Sequence, residues 1–385
     1  MVGARSDVVG SLLRAEGLAQ ARQAHTRGEL SHAAFKAVED AAVDACLQLQ
    51  ERCGLAVVTD GEQRRLSFQS QLAEAVAGFG DWGLDAFLWG RWHGDQVGDH
   101  TVARPDLAVT GRLERTRFLS GEEFTYVRGR TDRLVKVTLP SPSLFANFWD
   151  PRRPPAAYRR LEDFLADVTR LLAEEVDELA RLGATYLQLD APHYTMLLDP
   201  GYRQFYESRG VAADDWLAFS LELDNAVMTR NPQVTFAFHL CRGNQASRWL
   251  VAGGYERLAE RVFPTVAATR LMLEYDDERS GGFAPLAAVP DDKEVVLGLV
   301  TTKSGRLEDR AALVARVHEA AAYVPLERLA VSTQCGFATS VVGNALSSAE
   351  QAAKLRLVAD TARAVWGPEP GPAPSPPAHP SPTDG

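Results

Sequence analysis

Apolar runs of strand length recur along the chain, each bounded by polar or turn residues. Between them lie longer stretches whose apolar positions return at spacings of three and four. The short runs fall at 7–11, 56–60, 134–139, 185–190, 235–239, 270–275, 295–300 and 329–333. Helical stretches include 31–51, 158–182, 216–229 and 308–322, and Gly54 and Gly183 follow two of them where a glycine ends a helix. Strands alternating with helices predict βα units around a parallel sheet. Eight such strands predict an α/β fold of the (β/α)8, or TIM-barrel, type, which accommodates this length as one unit.

The interval 67–133 is too long for one crossover helix. It holds the Trp-rich stretch DWGLDAFLWGRWHGD and the alternating run LAVTGRLERTRF, which predict a β-hairpin insertion between the second and third strands. On the barrel rim the insertion either covers a pocket or packs on the flank. From Gly367 onward, GPEPGPAPSPPAHPSPTDG is a Pro-rich tail with almost nothing to bury. It is expected to be extended and disordered, which leaves residues 1–366 as a single barrel.

Composition narrows the partners. With 41 Lys plus Arg against 51 Asp plus Glu, the formal charge of −10 opposes a phosphate backbone or an anionic membrane. The N-terminal sequence MVGARSDVVGSLLRAEG lacks a signal-type apolar stretch, and no run reaches eighteen apolar residues, so a cytoplasmic protein is expected. Four cysteines in 385 residues are too few for a disulfide scaffold.

Barrel enzymes carry their reactive side chains at the C-terminal ends of the strands. Read there, the second strand ends in TDGEQRR with Glu62, the fourth in LQLDAP with Asp190, and the fifth in FHLCRGN with His239 and Cys241. The sixth ends in LEYDDE with Glu274, the seventh in LVTTKS with Lys303, and the eighth in STQCGFA with Cys335. His239 and Cys241, two apart on extended chain, point to one face. Glu274 and Cys335 would converge on the same barrel mouth from other strands. One nitrogen, two sulfurs and one carboxylate oxygen suit tetrahedral Zn²⁺.

Taken singly, each residue has a plainer reading as a core histidine, a buried cysteine or a rim charge, and only their joint placement points to a metal. Cys46 and Cys53, on the helical run AAVDACLQLQERC, read as core thiols. Two thiolates and a carboxylate more than neutralise Zn²⁺. Such a site suits holding a substrate thiol as a nucleophilic thiolate rather than activating water.

The motifs VGSLLR, GLAVVTDGEQRR, YLQLD, HLCRGN with GGYERLA, LEYDDERSGGFAPL, LGLVTTK, and STQCGFATSVVGN with QAAKLRLVAD follow in this order from Asp7 to Trp366. In them the chain resembles the catalytic barrel of cobalamin-independent methionine synthases, above all the short single-barrel group. The resemblance implies a zinc-dependent methyltransferase of the 5-methyltetrahydropteroyltriglutamate–homocysteine type. It implies His239, Cys241, Glu274 and Cys335 as ligands of Zn²⁺, and Ser11, Glu62 and Asp190 as contacts of homocysteine or a related thiol. Glu62 and Asp190 would meet an α-ammonium group, and the turn at Gly10 and Ser11 an α-carboxylate. Arg64 is counted with them as a substrate contact. The other reading of Glu62, Asp190, Arg64 and Arg65 is a structural ion-pair network at the mouth.

Two departures bear on the methyl donor. Full-length synthases follow the YLQLD motif with E-P-x-x-x-E, whose last glutamate contacts folate, whereas here Ala191 to Met196 read APHYTM. Where those enzymes place a histidine proton donor after the seventh strand, this chain has Lys303, a catalytic candidate if its pKa is tuned. Nor is there room for the N-terminal barrel that helps bind polyglutamylated folate. The donor is therefore 5-methyltetrahydrofolate or another methyl compound. Trp82, Trp89 and Trp92 either stack on a planar donor or pack the insertion. An S-alkyltransferase of specialised metabolism and a catalytically silent zinc-binding barrel are the alternative functions.

Overall fold

The computed structural model describes residues 2–80, 88–103, 109–150, 152, 154–208 and 210–368. Trp82 and most of the Pro-rich tail lie outside the described residues. The barrel strands are β1 (Ser6–Asp7), β2 (Val57–Val58), β3 (Leu134–Pro140), β4 (Tyr186–Asp190), β5 (Thr235–Leu240), β6 (Arg270–Glu274), β7 (Glu294–Val300) and β8 (Leu329–Thr333). They form one eight-stranded sheet in the order β1-β8-β7-β6-β5-β4-β3-β2, with every pair parallel. Both faces of such strands are covered, which is why they read as continuous apolar runs rather than alternating ones. The (β/α)8 expectation holds.

The first two strands are shorter than the apolar runs suggested. After Asp7 the chain leaves the ladder, because its own side chain accepts from Val8 N at 2.8 Å and Lys136 Nζ takes the Val8 carbonyl. Polar bonds close the seam between β1 and β2: Ala56 N donates to Ser6 Oγ at 3.0 Å, Thr59 Oγ1 to Gly10 O at 2.7 Å, and Leu12 N to Gly61 O at 3.1 Å.

Between the sheet and its helices lies the larger apolar cluster, and the barrel interior holds a second. Val9, Val57, Tyr186, Met272 and Val296 belong to the interior cluster, which Cys241 and Cys335 join. The outer layer includes the helices His32–Cys53, Leu161–Arg181, Ala213–Met228, Arg310–Ala320 and Ser348–Trp366. Gly54 caps the first of these at φ 83°, a conformation that costs a glycine little.

The insertion differs from a single hairpin. The strand Val109–Arg115 runs antiparallel to the distant Val76–Phe79, so LAVTGRLERTRF supplies one strand of a ribbon rather than both. A true hairpin joins Gly90–Trp92 to His100–Val102, and a helix, Leu119–Arg128, leads back to β3. This hairpin is tied to the loop after β5: His93 N and O exchange backbone bonds with Trp249 at 2.8 and 2.9 Å, and Trp249 Nε1 donates to Asp95 Oδ1 at 3.1 Å. No helix among the described residues is long and apolar enough to cross a membrane.

Candidate metal and substrate site

The C-terminal ends of the strands surround a cleft. Glu62, Asp190, His239, Cys241 and Cys335 all line it, so five of the predicted side chains meet in one place. Phe68 and Gln69 from the start of the insertion, Leu88 and Trp92 from its later part, and Asn244, Thr339 and Ser340 from the loops after β5 and β8 complete much of the wall.

His239, Cys241 and Cys335 each offer a ligand atom within 4.8 Å of the others, all buried. His239 Nδ1 lies 3.3 Å from the Met272 carbonyl oxygen, and Nε2 is buried with no protein partner among the described residues. A carbonyl on one ring nitrogen fixes the tautomer that leaves the other free to bind a metal. The Cys335 thiol holds the Cys241 thiol well below its ordinary value, against the effect of burial, and His239 adds to the shift. Cys335 is pushed up correspondingly by the same contact and by burial. One sulfur of the pair is thus favoured as a thiolate before any cation arrives. A buried imidazole nitrogen without a protein partner among the described residues, beside two thiols of which one is favoured as a thiolate, is a donor set that fits Zn²⁺.

Glu274 is buried beside this trio but outside it. Its Oε1 accepts from Lys303 Nζ at 3.1 Å and its Oε2 from the backbone N–H of Arg242 at 2.6 Å. Burial pushes the Glu274 carboxyl up to about 7, opposed by Lys303. The ammonium of Lys303 is also 3.3 Å from Asp276 Oδ2. Burial alone would lower its pKa, yet Asp276 and Glu274 outweigh that and raise it. The arrangement stabilises the cation, the reverse of the tuning a proton donor needs. The HLCRGN and GGYERLA motifs hold these strand ends in register. Arg242 Nη1 bonds the Glu274 carbonyl at 3.0 Å, and Tyr255 OH donates to the Leu240 carbonyl at 2.8 Å while accepting from Glu274 N at 3.0 Å.

The carboxylate side of the cleft is built on strain. Glu62 is buried with φ at 53°, a left-handed conformation uncommon for a residue with a side chain. Its Oε1 accepts from Thr138 Oγ1 at 2.8 Å and lies 3.7 Å from Arg65 Nη1, while Oε2 has no partner among the described residues. Burial pushes the Asp190 carboxyl up to about 7, with Glu62 adding to the shift and His239 opposing it. Gly10 backs directly onto this group, since a Cβ there would meet Glu62 Oε1 at 2.8 Å and Thr138 Cγ2 at 2.9 Å. Ser11 sits behind the loop after β8: its carbonyl accepts from Phe337 N at 2.8 Å and its Oγ from Ala338 N at 3.3 Å. Neither Gly10 nor Ser11 is among the residues lining the cleft.

Arg64 is turned elsewhere. Its guanidinium pairs with Asp40 at 2.6 Å and Glu39 at 3.6 Å on the helix His32–Cys53 and stacks over Tyr126, so the structure places it in an ion-pair network and not in the cleft. Arg65 is likewise structural, held by Glu123 at 2.7 Å and by Thr138. The arginines thus belong to the network and Asp190 to the cleft, while Glu62 lines the cleft and is also paired with Arg65 at 3.7 Å.

A protein-family model described as the cobalamin-independent synthase catalytic domain matches residues 5–362. The chain belongs to that family. Membership makes the protein a methyltransferase of the cobalamin-independent methionine synthase type. It is 33% identical over 365 residues to the uncharacterized protein YxjH of Bacillus subtilis, covering 94% of each chain. It is 26% identical to a methionine synthase of Pyrococcus abyssi over 86% of this chain and 85% of that one. A Listeria monocytogenes protein crystallised as a candidate vitamin-B12-independent methionine synthase superposes with a TM-score of 0.71 at 28% identity, over 94% of this chain and 98% of that one.

Sequence reasoning missed Phe68, Gln69, Asn244, Thr339 and Ser340 as cleft residues. Asn244 closes the FHLCRGN motif and the other four follow a strand-end motif by a few positions, and that proximity was the available signal. Of the insertion tryptophans, Trp92 is buried and lines the cleft, whereas Trp89 packs on Tyr202 and Phe205 with ring centroids 5.0 and 4.7 Å away.

Proposed function

We propose that this protein, as a single barrel of residues 1–366, methylates the sulfur of homocysteine or a closely related amino acid thiol, with Zn²⁺ as its cofactor. One observation carries the reading: the buried trio of His239, Cys241 and Cys335 shares a cleft with two carboxylates, one strained and half unpartnered, the other pushed up to about 7. Family membership and relatives that bear the name methionine synthase support homocysteine as the acceptor.

The trio would hold the metal, with Glu274 as a fourth ligand if it exchanges the Lys303 ammonium for the cation. Zinc there would stabilise the substrate sulfur as a thiolate while the thiolate-rich ligand set keeps it nucleophilic. Glu62 Oε2 and Asp190 receive the α-ammonium group, which supplies the positive charge and N–H donors that the empty acceptor and the buried carboxyl lack. Gly10 acts as backing for Glu62, and Ser11 fixes the loop that carries Cys335. Lys303 offsets the charge of Glu274 and Asp276 beside the metal ligands rather than giving up a proton. The wall built by Phe68, Leu88 and Trp92 limits water near the transferring carbon.

The test is elemental analysis with zinc-edge X-ray absorption, with and without homocysteine. One zinc per chain, with two sulfur neighbours rising to three on adding the thiol, is the expected result. No zinc, or a shell unchanged by the thiol, would overturn the proposal.

A further inference from the structure

Among the described residues lining the cleft there are two carboxylates and two cysteines, and no lysine, arginine or tyrosine. The cations around it are committed: Arg65 to Glu123 and Thr138, Lys303 to Glu274 and Asp276. Two lining acceptors, Glu62 Oε2 and Gln69 Oε1, are buried with no protein partner among the described residues. An amino acid substrate brings one ammonium group, which Glu62 and Asp190 take on the reading above. Apart from the His239, Cys241 and Cys335 trio, the described lining that remains is neutral, with Phe68 and Trp92 set among apolar, amide and hydroxyl side chains and no lysine or arginine.

The aromatic part is built closely against the metal-ligand loop. Gly243 holds φ at 84°, and a Cβ there would meet Trp92 Cζ3 at 2.9 Å, so the indole packs onto backbone two residues beyond Cys241. Phe68 lines the cleft as well. Aromatic side chains beside carboxylates, with no competing cation, recognise a positively charged group carrying an apolar surface. A donor with several carboxylates would instead leave its charges unmatched.

From this lining we infer that the methyl donor is a sulfonium compound, an inference that rests on the thiol-methylation reading above. The acceptor thiolate forms a bond to the methyl carbon as the bond from that carbon to the positive sulfur breaks. The bonding electron pair stays on the departing sulfur, which leaves as a neutral thioether. Charge is balanced without a proton or any further reactant, in keeping with a lining that offers no lysine or tyrosine to protonate a leaving group. Trp92 is the residue that selects the donor.

The experiment uses the zinc-loaded protein with homocysteine and, in separate reactions, trimethylsulfonium, S-methylmethionine, or 5-methyltetrahydrofolate bearing one or three glutamates, with methionine counted by mass spectrometry. Turnover with both sulfonium donors at least tenfold above either folate is the expected result. Turnover with folate alone, or with no donor, would overturn the inference. Calorimetry gives a second readout: trimethylsulfonium should bind at least tenfold more weakly to Trp92→Leu and within threefold of wild type to Trp92→Phe, with homocysteine binding unchanged within twofold. Equal trimethylsulfonium binding in the leucine variant would also overturn it. Homocysteine binding separates the two levels. If homocysteine fails to bind, the thiol reading falls and the donor inference with it; if it binds and sulfonium donors are inert, the donor inference alone fails.

Discussion

The Thr138 hydroxyl donates to Glu62 Oε1 at 2.8 Å and thereby orients a carboxylate whose other oxygen is buried without a protein partner. The same Thr138 oxygen accepts from Arg65 Nη1 at 2.9 Å, so a strand residue and a structural arginine together hold a strained backbone in place. Unmatched polar capacity of this kind is costly in the free protein and becomes useful when a ligand supplies the missing donor.

Replacing Thr138 by Val keeps the shape and removes this bond. Stability should fall by about 1–3 kcal/mol, and KM for the thiol should rise several-fold with little change in kcat. Chemical denaturation together with steady-state kinetics checks both. An unchanged KM would mean that Glu62 is positioned by other means.

Cys241→Ser and Cys335→Ser each remove a thiolate from the trio within 4.8 Å. Bound zinc should drop by at least tenfold and thiol methylation should vanish, while circular dichroism retains the barrel signal. Full zinc and full activity in both variants would refute the assigned metal centre.

Asp190→Asn tests the raised carboxyl. Its pKa is about 7 in the fold against an ordinary 3.8, so the folded state binds the proton more tightly than the unfolded chain. The stabilisation from that proton is complete below about 3.8 and is lost as the pH rises to about 7. Asn resembles the protonated form. The metal-free variant should therefore gain on wild type across this window, by at most on the order of 4 kcal/mol, and bind homocysteine at least tenfold more weakly. Thermal melts at pH 4 and pH 8 read the first effect, and a constant difference between them would count against it.

Lys303→Ala leaves Glu274 and Asp276 buried without their shared cation. A loss of about 3–5 kcal/mol follows from breaking a buried pair on one side, with slower methyl transfer and zinc content retained. Unchanged turnover would show that Lys303 has no part in the reaction.

Arg64→Gln should leave KM for the thiol within twofold, because this guanidinium faces Glu39 and Asp40 rather than the cleft. Urea denaturation should show a loss of about 1–3 kcal/mol. A tenfold rise in KM would return Arg64 to the substrate site.

Much of this architecture can be read from local pattern. Six of the eight strands closely match the apolar runs that predicted them and the first two overlap theirs but are shorter, because a parallel barrel buries both faces of each strand and the pattern repeats with every βα unit. His239, Cys241 and Cys335 were readable for a related reason: strand ends share one mouth, so residue type at a strand end already implies a neighbourhood.

What the chain does between those ends depended on tertiary structure. Arg64 and Glu62 are two apart, and on a regular strand they would face the same way. The left-handed backbone at Glu62 breaks that parity and sends one into the cleft and the other to a helix. The partner of Val109–Arg115 is Val76–Phe79, more than twenty residues away, a pairing that no local alternation can specify. The pairing of Glu274 with Lys303, and the closure of Trp92 over the backbone at Gly243, likewise arise only when separate loops converge. By itself the sequence determined the barrel, the family and the histidine and cysteines that meet at the barrel mouth, since each is written in short-range period and strand-end chemistry. Only the tertiary structure decided which charges face each other and which face the ligand, because that depends on contacts between residues far apart in the chain.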